Sequence, residues 1–92
     1  TDLAAVSVSV AVVNAAGMPV TDATLTFSVA GGPAQACENM TNGTYLCGFE
    51  QEGMITVTAT KGADTATQTV TVAKDASGCH VVGQSITLTL GA

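Results

Sequence analysis

The chain has almost no positive charge. Two lysines and no arginine stand against seven acidic residues among 92, giving a net charge of −5. Such a surface repels a phosphate backbone, because nucleic-acid binding draws on counterion release by clustered Lys and Arg. It opposes adsorption to anionic lipid for the same reason, and no apolar run approaches the roughly 20 residues that span a bilayer. Neither a nucleic-acid partner nor membrane insertion is expected. No basic segment leading into an apolar core opens the sequence at Thr1, so any export signal is expected to have been removed or to lie outside the chain.

Aromatics are nearly as scarce: there is no Trp, and only Phe27, Tyr45 and Phe49 are present. The apolar share of 47% comes mostly from Val and Ala. A core of small side chains is thin, so covalent support would be useful. At this length residues 1–92 read as a single domain. Histidine is limited to His80, and no Ser, His and Asp set has a recognisable spacing. A nucleophile pair of Cys79 and His80 would place adjacent strand residues on opposite sides. Glu50 and Glu52 could face one way, yet they flank the turn at Gly53, where charges usually solvate a loop. No enzyme is expected, and no cofactor.

What the chain does have is alternation. Apolar residues recur at every second position and are interrupted by Gly, Pro and Asn-Gly steps, which marks half-buried strands joined by tight reversals. Seven strands are predicted: 3–14, 21–30, 35–38, 44–50, 54–60, 65–73 and 80–90. Helix is absent from this reading. The inward set is Val8, Val10, Leu25, Phe27, Tyr45, Ile55, Val57, Val70, Val72, Ile86 and Leu88, because a slip by one residue would bury a row of hydroxyls. The fold class is therefore an all-β, seven-stranded antiparallel Greek-key sandwich.

Three cysteines are an odd number. Cys37 and Cys47 lie symmetrically about Asn42, beside an Asn-Gly turn signal, so a reversal there brings both thiols together on adjacent strands. A Cys37–Cys47 disulfide is expected, with Cys79 free or linked elsewhere, and with it an oxidising, extracytoplasmic compartment. Cys37, Cys47, Cys79 and His80 are zinc-ligand types but lack the short ligand spacings, and no D-x-D-x-D loop offers calcium a site; no metal is expected.

Asn39-Met40-Thr41 and Asn42-Gly43-Thr44 both satisfy N-x-T at a turn, which makes Asn39 and Asn42 candidate glycosylation acceptors, although turn chemistry alone also explains them. Threonine rows at 56, 58 and 60 and at 65, 67, 69 and 71 are of a kind found on ice-binding faces. Thr is equally suited to the solvent side of an ordinary strand, and that reading is preferred.

Asn14, Gly17, Pro19, Val20, Asp22-Ala23 and the alternating 25–29 follow one another as in the carboxypeptidase regulatory-like family. Gly43-Thr44-Tyr45, the stretch 53–58 and Gly62 continue the likeness, with Asp22 replacing a usual Gly and Ala63 an aromatic. The chain resembles that family over about residues 6–73, and more loosely the bacterial immunoglobulin-like modules of invasin type. The resemblance implies a transthyretin-like or immunoglobulin-like fold and a non-catalytic module of secreted or surface proteins: a spacer, an adhesion unit or a carbohydrate-binding accessory.

The leading expectation is thus an extracellular structural module of a surface assembly such as a filament or stalk. Its partners would be further copies or neighbouring surface-protein domains. The stretch 1–14 could act as a donor strand, with Leu3, Val6, Val8, Val10 and Val12 filling a neighbour's groove; the alternative is that it pairs within its own domain. The second expectation is a glycan- or protein-binding module. A glycan site would use exposed aromatics, and Tyr45 and Phe49 are the only candidates.

Overall fold

The structure is a computed structural model that describes residues 6–78 and 80–91. Alternation of Val with Ser and Ala forms β1 (Val6–Asn14), and of Leu, Phe and Val with Thr and Ser forms β2 (Thr24–Val29). Two short pieces follow, β3 (Gln35–Ala36) and β4 (Glu38–Asn39), then β5 (Thr44–Phe49), β6 (Gly53–Lys61), β7 (Asp64–Val72) and β8 (Gln84–Leu90). The protein is all-β, with two four-stranded sheets ordered β4-β5-β1-β8 and β3-β2-β6-β7.

The core lies between the sheets. Val8, Val10, Val12, Tyr45, Cys47, Leu88 and Leu90 from the first meet Leu25, Phe27, Ile55, Val57, Ala59 and Val72 from the second. Nine of the eleven expected core residues are buried; Val70 and Ile86 pack against the cluster only partly covered, because β7 and β8 are sheet edges. Val6, at the end of β1, is likewise only half-buried.

Four expectations about the strands need correction. There are eight strands, because the chain crosses from one sheet edge to the other at Cys37 and so divides the third strand in two: β3 pairs with β2, and β4 pairs with β5. The pairing is not wholly antiparallel, since β1 and β8 run parallel over Val8↔Gln84 to Asn14↔Leu90. The second strand begins at Thr24, not Thr21. The last begins at Gln84; residues 80–83 form the end of a loop in which Lys74 bridges Val81.

Ser7 is a fifth departure: alternation with Val6 and Val8 in the first strand predicts a solvent-facing hydroxyl, yet the residue is fully buried. Its hydroxyl donates to the Gln51 carbonyl at 2.9 Å and accepts the Gln51 N–H at 2.8 Å, so no polar group is stranded. The expected donor strand is flanked on both sides by its own chain, β5 on one edge and β8 on the other. For Val6, Val8, Val10 and Val12 the in-domain alternative is what the structure contains; Leu3 lies outside the described residues.

Candidate functional site

Two loop-bearing poles cap the sandwich, and the described charged side chains gather there. At the Asn14 pole are Asp22, Lys61 and Asp64; at the Val6 pole are Glu50, Glu52, Lys74 and Asp75; Glu38 on β4 is the exception. The outward face of the second sheet is hydroxyl-rich and uncharged. Its rungs read Ser28–Thr56–Thr69, Thr26–Thr58–Thr67 and Thr24–Thr60–Thr65. Neighbouring hydroxyls engage each other, Thr56 and Thr69 at 3.0 Å and Thr67 and Thr58 at 3.4 Å.

At the Asn14 pole the turn chemistry builds a rigid knot. The Asn14 side-chain carbonyl accepts the N–H groups of Ala16 and Met18 at 2.9 and 3.0 Å, and Gly17 takes φ +82° to close the turn. Gly43 then presses on Pro19: a Cβ there would lie 2.7 Å from the Pro19 Cβ. Beside this knot an open groove of about 970 Å³ is lined by Asn14, Thr21, Asp22, Lys61, Asp64 and Leu90. Asp22 and Lys61 form an ion pair at 3.0 Å, whose hydrogen bond holds the Asp22 carboxyl below its ordinary range.

At the Val6 pole Glu50 adopts φ +56°, unusual for a residue with a side chain. Its carboxylate meets the His80 ring nitrogen Nδ1 at 2.6 Å and accepts the Val81 N–H at 3.2 Å, tying the β5–β6 turn to the β7–β8 loop. Glu52 points elsewhere, to Lys74 at 3.8 Å. Glu50 and Glu52 are therefore not a carboxylate pair, and Glu50 serves as a strut between loops.

Cys37 and Cys47 form a disulfide. It faces the β4–β5 register and fixes the crossover between sheets. Such a bond is compatible with an extracellular location. Two of the four sulfur and nitrogen groups considered for zinc are thereby joined to each other; Cys79 lies outside the described residues, and with it the Cys79–His80 pair that strand geometry argued against. Among the described residues no group of three or more His, Cys, Asp or Glu converges as a metal site, and no helix is long and apolar enough to cross a membrane.

Asn39 and Asn42 are both exposed, and each side chain holds a hydrogen bond, Asn39 through its amide nitrogen and Asn42 through its oxygen. Asn39 donates from Nδ2 to the Thr21 carbonyl at 2.9 Å, and Asn42 accepts the Thr44 N–H at 3.0 Å. The aromatics separate sharply: Tyr45 is 1% exposed and Phe49 41%. Phe49 borders a cleft of about 300 Å³ with Gln35, Glu38 and Gln51 on its walls. Alternation alone would place Phe49 inward, but Gly48, buried and at φ +83° with its α-carbon facing the Phe27 ring, interrupts the alternation just before it, and Phe49, opposite half-buried Val6, reaches solvent. No family model and no curated protein matches the chain.

Proposed function

We propose that this chain is a non-catalytic structural module of an extracellular surface assembly, working as a rigid spacer in a stalk or filament. One observation carries the reading: β1 and β8 lie side by side in parallel, so the described chain enters at the Val6 pole and leaves at the Asn14 pole. In a hairpin-like pairing of first and last strands the two ends would meet at one pole. Here they are separated along a body whose Cα extents are 42 × 27 × 17 Å. Modules threaded this way lengthen an array instead of folding back on it. The order of turn residues around Asn14, Pro19 and Gly43 supports a transthyretin-like or immunoglobulin-like sandwich as its finer class. Because β1 is held by its own neighbours, the proposed array links modules through the chain and their poles, not through a loaned strand. Small-angle X-ray scattering of two-, three- and four-copy tandem fusions tests this. The maximum dimension should rise by a constant step close to the module's long axis, and a compact cluster would refute the spacer.

A glycan-binding module is the second reading, favoured by Phe49. Its exposed ring offers an apolar platform, and Gln35, Glu38 and Gln51 offer the amide and carboxylate groups that bond sugar hydroxyls. Tyr45 is removed from that role by its burial. NMR titration with methyl β-D-glucoside should shift amides around Phe49 if this reading holds, and Phe49→Ala should abolish the shifts. Unmoved signals at saturating sugar would set it aside.

A further inference from the structure

We infer that β7 is a self-pairing edge, through which two copies of this chain join about a two-fold axis at Gln68. β7 is the last strand of its sheet, paired to β6 over its whole length from Gly53↔Val72 to Lys61↔Asp64. No strand pairs with its other edge among the described residues. Soluble domains blunt such edges with Lys, Pro, a bulge or a very short strand. The opposite rim has that protection, since β3 and β4 are two residues each and are braced by the disulfide. β7 has none of these: nine residues run without interruption, and Thr65 to Val72 carries no charge.

The sequence of the strand is what identifies a second copy as its occupant. Thr65-Ala66-Thr67-Gln68-Thr69-Val70-Thr71 reads as a palindrome of side-chain types about Gln68. In an antiparallel two-fold pairing, Gln68 faces itself, Thr67 faces Thr69 of the partner subunit, and Thr65 faces Thr71 of the partner subunit. They are of the same kind as the Thr–Thr pairs that β7 makes with β6 inside the chain, Thr69 with Thr56 and Thr67 with Thr58. Ala66 and Val70, both half-buried, face each other on the inner side. At the two ends of the pairing Asp64 stands opposite Val72 of the partner subunit. The chains as wholes repel, so the pairing draws on the main-chain, threonine and Gln68 contacts along the uncharged stretch from Thr65 to Val72. The contact is isologous and closed, so it gives a dimer and not a fibre.

This inference is independent of the spacer reading. Sedimentation velocity at an ionic strength of about 0.15 M, where the repulsion between the acidic chains is screened, should show a concentration-dependent passage to a species of twice the chain mass. Gln68→Lys and Gln68→Glu each place like charges face to face and should weaken dimerisation by roughly fivefold; an equimolar mixture of the two variants should regain wild-type association or exceed it. Gln68 is exposed, so at a dilution where the chain is monomeric both variants should keep the wild-type melting temperature, which separates loss of pairing from loss of fold. A wild-type chain that stays monomeric up to millimolar concentration overturns the inference. So does growth beyond the dimer, variants that associate like wild type, or a mixture that fails to recover.

Discussion

Tyr45 is hydrogen-bonded across the core to a loop more than 20 residues away. Its hydroxyl donates to the Val20 carbonyl at 2.9 Å and accepts the Ala23 N–H at 3.1 Å. Both backbone groups are buried with it, and the bond pins the segment between β1 and β2 against β5. Tyr45→Phe keeps the ring but leaves a buried carbonyl and N–H without partners, which costs about 1–3 kcal/mol. Urea denaturation should show the loss as a lower midpoint at unchanged slope. An unchanged midpoint would mean that water takes over both bonds.

Gly43 and Pro19 make a second, steric link at the same pole. Gly43→Ala adds a Cβ to a residue at φ +89° and drives it into the Pro19 ring. Gly62 is the natural control: it also has positive φ (+61°), but nothing lies within 4 Å of its added Cβ. Gly62→Ala should cost only the backbone strain of about 1–2 kcal/mol, and Gly43→Ala distinctly more. Equal melting shifts for the two would show that the contact with Pro19 relaxes freely.

Phe27 and Phe49 provide a paired test of the register. Phe27 is buried between the sheets and Phe49 is exposed at 41%. Phe27→Ala should cost about 3–5 kcal/mol, the usual range for deleting a core aromatic. Phe49→Ala should stay within a fraction of that. Near-wild-type stability of Phe27→Ala would mean that β2 has slipped by one residue.

Alternation made the inner faces of β1, β2 and β6 legible, because Val8, Val10, Leu25, Phe27 and Val57 each sit between hydroxyl or small residues and only one face can be dry. It did not reveal the crossing at Cys37, since four alternating residues carry no information about which sheet edge they join. Nor did it reveal the parallel β1–β8 pair, a long-range choice that local periodicity does not encode. Ser7 looked solvent-facing by its type, and its burial depends on the Gln51 backbone 44 positions away. The Glu50–His80 strut was hidden for the same reason. The symmetry of Cys37 and Cys47 about Asn42 was a local signal, and it did identify the disulfide.

That disulfide should be the main covalent support of a thin core. Its closed loop is short, and the chain-entropy model assigns it about 2.7 kcal/mol. Non-reducing peptide mapping should give a Cys37–Cys47 peptide as the main species, and reduction should lower the unfolding midpoint accordingly. A dominant peptide joining either residue to Cys79 would contradict the pairing.

Acid should weaken the fold through Asp75, which organises the β7–β8 loop. One oxygen of its carboxylate accepts the Ser77 hydroxyl at 2.7 Å, the Ser77 N–H at 3.1 Å and the Gly78 N–H at 3.0 Å. The Ser77 hydroxyl is the largest influence and lowers the carboxyl below its ordinary value of 3.8; desolvation opposes it, and the backbone N–H groups reinforce it. A carboxyl whose folded pKa is depressed binds fewer protons folded than unfolded, so its contribution is complete above the unfolded value. It is lost as pH falls through the lower, folded value. Asp22 adds a second contribution of the same sign through Lys61. Asp75→Asn keeps an acceptor oxygen but loses the charge. It should be less stable than wild type at neutral pH and should fall less steeply below pH 3.8, keeping the share of the slope that belongs to Asp22. Urea midpoints at neutral and acid pH measure both effects. Parallel pH profiles for Asp75→Asn and wild type would show that the loop gains nothing from the charge on Asp75.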